Sequence, residues 1–83
     1  MSGNRPIAFE NRDRYAALGL NIAYYRKREG LTQIQLAEKA DISRGYMSEI
    51  EAPNMIANVS LEVLFCIAKA LRVEPEKLLA LRD

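Results

Sequence analysis

Apolar side chains recur at three- and four-residue intervals along most of the chain, and short polar or proline-marked breaks separate the runs. Leu18, Ile22 and Tyr25 form the first stripe, predicting a helix that begins between Asn11 and Asp13 and runs to about Glu29. Leu36, Ala37 and Ala40 form a second stripe, and Met47 with Ile50 a third. Leu61, Leu64, Phe65, Ala68 and Leu71, with Ile67 beside them, predict a fourth helix from a Ser60 cap to about Leu71, closing over the first three. A short fifth helix follows Pro75. Leu78 is expected in the core, and Leu79 and Leu81 either in the core or at a seam between two copies.

The breaks carry their own signals. Arg26-Lys27-Arg28 puts cations in the last turn of the first helix, where they complement the macrodipole, and Gly30 supplies a left-handed stop. Leu31 then packs back on the helix. Thr32 with Gln35 reads as a capping box for the second helix, and Ser43 as the cap of the third. Pro53 stops that third helix. The loop over residues 52–59 carries Met55, Ile56 and Val59, which suit either core cover or a contact surface. Ser, Gly, Asn and Pro dominate residues 1–10, which read as a flexible arm ahead of a single domain over 11–83.

The chain is organised around Gln33 to Glu51. Two short helices meet there at a tight corner, and Ala37 is small enough to let them cross closely. The outer face of the second carries Arg44, Gly45, Tyr46, Ser48 and Glu49, a set suited to touching something.

This stretch resembles the helix-turn-helix of the Cro/phage-repressor, or XRE-like, family. Thr32-Gln33, Leu36-Ala37, Ile42-Ser43-Arg44, Tyr46-Met47-Ser48 and Ile50-Glu51 carry the resemblance, which extends over about residues 15–81. At the corner, where the family has Gly, this chain has Asp41. Asp visits the left-handed region more readily than most residues, so the turn is expected to survive with some strain.

The resemblance implies an all-α, compact five-helix, lambda-repressor-like domain that binds double-stranded DNA and regulates transcription. By the same likeness Ser43, Arg44, Gly45, Ser48 and Glu49 face bases, with the tip of the third helix in the major groove. Thr32, Gln33, Tyr46, Lys27 and Arg28 face phosphates, and Arg26 pairs with Glu51 as an architectural ion pair. Arg44 is the strongest base reader, because a guanidinium can grip guanine O6 and N7 together. The resemblance also implies a homodimer, with the 52–59 loop and the fifth helix at its seam. An antitoxin-type or other protein-interaction module on the same fold is the alternative.

Composition narrows the rest. With no His and one Cys, neither a zinc site nor a Cys-His or Ser-His nucleophile system can be assembled. Cys66 sits in an apolar run and reads as core packing. No metal, cofactor, small-molecule ligand or enzymatic activity is expected. The net charge of +1 argues against coating DNA indiscriminately, but the positive excess is N-terminal, at Arg5, Arg12, Arg14 and Arg26-Lys27-Arg28. No run of about eighteen apolar residues spans a membrane, and the polar N-terminus lacks a signal core, so the cytoplasm is the expected location.

Overall fold

A computed structural model describes residues 6–81. The expected N-terminal arm therefore lies partly outside the described residues. Five α-helices follow a short 3-10 turn at Phe9–Asn11: α1 (Arg12–Arg28), α2 (Gln33–Ala40), α3 (Arg44–Glu51), α4 (Leu61–Leu71) and α5 (Pro75–Leu79). There is no strand among the described residues.

Local chemistry sets the helix ends. Gly30 at φ 74° lets the Leu31 amide donate back to the Arg26 carbonyl at 3.0 Å, which ends α1. Thr32 and Gln35 close a reciprocal capping box on α2: the Gln35 amide donates to Thr32 Oγ1 at 3.0 Å, and the Thr32 amide to Gln35 Oε1 at 2.8 Å. Asp41 occupies the left-handed region at φ 59°, and Arg72 does the same at φ 62° after α4. Each stop is closed by a six-to-one bond, from Ile42 to the Ala37 carbonyl and from Val73 to that of Ala68. A residue with a Cβ holds this conformation at a cost of roughly 1–2 kcal/mol.

The core collects Leu18, Ile22 and Tyr25 of α1, Leu36, Ala37 and Ala40 of α2, Met47 and Ile50 of α3, and Leu78 of α5. The α4 face differs from the sequence reading. Leu64, Ile67, Ala68 and Leu71 are buried, whereas Leu61 and Phe65 are 66% and 49% exposed. Ile67 lies on the opposite margin of the stripe from Phe65, so turning Ile67 fully inward rotates Leu61 and Phe65 towards solvent. Leu79 and Leu81 of the C-terminal segment are also about half exposed.

Two buried α1 residues carry features absent from the stripe reading. Asn21 is 2% exposed, and its Nδ2 donates to the carbonyls of Leu78 (3.0 Å) and Ala80 (2.7 Å), fastening the end of α5 to α1. Gly19 lies against the end of α3, where a Cβ would sit 2.2 Å from the Ile50 carbonyl oxygen. The two backbones meet because neither has a side chain in the way.

Gly19→Ala should therefore force α1 and α3 apart. Overpacking of this kind costs about 1–3 kcal/mol, partly offset by the better helix propensity of Ala, about 1 kcal/mol. The melting temperature is expected to fall by several degrees. A rise, as at an open helical glycine, would contradict the close approach.

Candidate nucleic-acid interface

The helix α3 is short, and two features hold its direction. Ser43 Oγ accepts from the Tyr46 amide at 3.0 Å, which caps its start. Met47 and Ile50, three residues apart, bury its inner face. With those two turned in, Ser43, Arg44, Gly45, Ser48 and Glu49 are all exposed and form a continuous outward ridge. A Cβ at Gly45 would meet nothing within 4 Å, so the chain's own packing does not require glycine there.

Behind the ridge lies a polar node. Arg26 Nε donates to Glu51 Oε2 at 2.8 Å, and Nη2 donates to Oε1 at 3.0 Å. The remaining guanidinium corner, Nη1, donates to the Leu31 carbonyl at 2.8 Å. The two side chains are 12% and 4% exposed. Gln33 completes the node: its Nε2 donates to Glu51 Oε1 at 3.0 Å. The last turn of α1, the start of α2 and the end of α3 thus meet at one carboxylate.

The other sequence-singled residues fall into two groups. Thr32 is exposed at the start of α2, where the first-turn amides lack intrahelical partners and favour an anion. Lys27 and Arg28 are exposed on the last turn of α1, and the Arg28 guanidinium carbon lies 5.1 Å from the Tyr25 ring centroid. Tyr46 is placed differently: its hydroxyl donates to the Asn58 carbonyl, tying α3 to the 52–59 loop. A phosphate contact from Tyr46 would have to give up that bond, since the phenol has one proton. Burial first, and then the negative charge of Glu49, push its pKa above the ordinary tyrosine range. Tyr46 therefore remains a donor throughout the neutral range.

The sequence pattern singled out neither the Gln33–Glu51 bond nor the Tyr46–Asn58 tie. Asn21 did leave a signal, as a polar residue on the stripe of Leu18, Ile22 and Tyr25. Cys66 donates to Glu62 Oε2 at 3.6 Å, and burial, with this bond next, pushes the thiol pKa up, away from the reactive thiolate. No helix of the described residues is long and apolar enough to cross a membrane.

Comparison with known proteins adds relatives. A helix-turn-helix family model matches residues 22–78. The immunity repressor protein of Bacillus phage phi105 is 44% identical over 57 residues, covering 69% of this chain and 38% of the repressor. The HTH-type transcriptional regulator SinR of Bacillus licheniformis is 36% identical over 66 residues, covering 80% of this chain and 59% of the regulator. The chain thus spans less than two thirds of either of these curated relatives. A crystal structure of SinR, master regulator for biofilm formation, in complex with DNA superposes with a TM-score of 0.71 at 36% identity, covering 76% of this chain and 98% of that one.

Arg26→Ala leaves the Glu51 carboxylate buried without its counter-charge. Destabilisation of about 3–5 kcal/mol is expected, a large fall in the melting temperature. A thermal melt within a degree or two of the unsubstituted chain would refute this.

Proposed function

The chain belongs to the helix-turn-helix family, and from that premise we propose that it is a sequence-specific regulator of transcription that binds double-stranded DNA. The observation that carries the reading is the α3 ridge. Five adjacent small, polar or charged positions face outward, backed by a rigid apolar inner face, on an element short enough to enter a major groove. That the similar SinR domain is found in complex with DNA supports DNA binding by this chain.

In the proposed complex the phosphates set register and the ridge reads sequence. Gln33, Thr32 and the α2 N-terminus grip one phosphate, and Lys27 and Arg28 add positive charge. Arg44 reads a guanine, Ser43 and Ser48 reach bases or nearby phosphates, and Gly45 lets the backbone approach the groove. Glu49 accepts from a cytosine amino group or rejects wrong sites by repulsion. Residues 11–83 act as the DNA-binding unit, in the cytoplasm, with no cofactor.

Two copies would read half-sites roughly one helical turn, about 34 Å, apart. To the 52–59 loop and the fifth helix expected at the seam, we add the exposed apolar side chains Leu61 and Phe65 of α4, beside Met55, Leu79 and Leu81. A cleft of about 170 Å³ beside them, lined by Tyr15, Val59, Leu61 and Leu79 among others, offers a recess for a partner side chain. The same apolar surface favours a second reading, a protein-interaction module that binds another protein in place of DNA.

A salt series separates the two readings. A DNA reader loses affinity for duplex DNA steeply as salt rises, with a logarithmic slope of about −0.9 per phosphate neutralised. Absence of binding at low salt would favour the protein-interaction module. Arg44→Ala should weaken binding to a selected site by about 1–3 kcal/mol and relax preference at one base position. An unchanged site preference would remove Arg44 from the reading surface. In sedimentation equilibrium the unsubstituted chain should be dimeric and Leu79→Glu monomeric. A Leu79→Glu chain that stays dimeric would move the seam elsewhere, and a monomeric unsubstituted chain would remove it.

A further inference from the structure

The node at Glu51 has more donors than an α1–α3 clamp requires. Two guanidinium bonds from Arg26 already join the last turn of α1 to the end of α3. Glu51 Oε1 nevertheless accepts a second donor, the amide nitrogen of Gln33, and Arg26 Nη1 reaches the Leu31 carbonyl just ahead of α2. Both extra bonds end at the start of α2, and neither is needed to join α1 to α3. Next to them, the capping box of Thr32 and Gln35 fixes the backbone between. The first turn of α2 is therefore pinned on both sides of its first residue.

Gln33 itself is only half buried. A glutamine there, with three rotatable side-chain bonds, would otherwise sample many rotamers. A carboxylate oxygen only accepts, so the amide must turn its nitrogen towards Glu51. That fixes the side chain and leaves its second N–H as a donor. We infer that Glu51 is a positioning residue for DNA binding: it holds the Gln33 amide in place before DNA arrives, so that a backbone phosphate meets a donor already set beside the α2 N-terminus. Preorganisation of this kind removes an ordering cost from the binding step. The inference rests on the reading of Gln33 as a phosphate contact.

The test needs a variant that loses the carboxylate but keeps the fold. Replacing both partners of a buried ion pair with apolar side chains of similar volume is often neutral or stabilising, so Arg26→Met combined with Glu51→Met is the variant, its folding checked by circular dichroism. The probe is a mixed-sequence DNA duplex at low salt. Gln33→Ala alone should lower affinity about tenfold, the scale of one hydrogen bond to a charged group. The double-methionine variant should lose affinity by a similar factor with an unchanged salt slope, and adding Gln33→Ala to it should cost nothing more. Equal losses from Gln33→Ala in both backgrounds, or full affinity in the double-methionine variant, would overturn the inference.

Relaxation of the Gln33 side-chain amide in the DNA-free, unsubstituted chain gives a second reading that needs no variant. An order parameter near the rigid-backbone value of about 0.85 supports the inference, and one under about 0.6 ends it. The arms also separate the two levels of claim. An unsubstituted chain with no salt-dependent affinity for the duplex sinks the DNA reading itself. An unsubstituted chain that binds while Gln33→Ala binds equally well sinks only the positioning role.

Discussion

A side-chain carboxyl at the end of α3 is buried inside the molecule, and the arrangement of the first three helices follows from how its two oxygens are met. Glu51 is 4% exposed at its side chain, and a bare charge so placed would be strongly unfavourable. Arg26 answers it with a planar fork of two bonds, and Gln33 adds a third donor. Both oxygens are thereby satisfied, and among the described residues no buried side-chain polar atom lacks a partner. Because the guanidinium geometry is rigid, the node sets orientation as well as proximity. A Lys at position 26 would supply charge without the fork.

Close backbone packing does the complementary work. Gly19 allows α1 to lie directly on the Ile50 carbonyl, and two turns further along the same helix Arg26 reaches Glu51. Two points of attachment fix both the depth and the direction of α3. Its inner face, Met47 and Ile50, is then held in the core, and its outer face has nowhere to go but solvent. The exposure of Arg44, Ser48 and Glu49 is thus a consequence of packing on the other side of the helix. The Tyr46 hydroxyl extends this to the 52–59 loop, which it ties back to α3.

Electrostatics are local here. The net charge is only +1, yet the positive groups and the helix termini are distributed unevenly. Lys27, Arg28 and Arg44 are exposed, whereas the charge of Arg26 is spent internally against Glu51. Among the described residues the other arginines and lysines are exposed as well, so it is the low overall charge, from acidic groups interspersed with them, that suits selective rather than indiscriminate contact with a polyanion.

Much of this was legible along the chain, because it depends on neighbours a few residues apart. The apolar periodicity located the first four helices and Pro75 the start of the fifth, Thr32 with Gln35 and Ser43 marked caps, Gly30 marked a stop, and Asp41 marked the strained corner. The outward ridge of α3 followed from Met47 and Ile50 alone. What no local pattern contained were contacts across long separations: Gln33 reaches Glu51 over 18 residues, Tyr46 reaches Asn58 over 12, and Asn21 reaches Leu78 over 57. The rotation of α4 belongs with these, since a stripe wide enough to include Leu61, Phe65 and Ile67 does not say which margin is turned inward. Helical period is written in spacing, which a linear chain carries in full. The rotation of one helix against another is chosen by which side chains fit the space left between them, and that space exists only after the chain has folded.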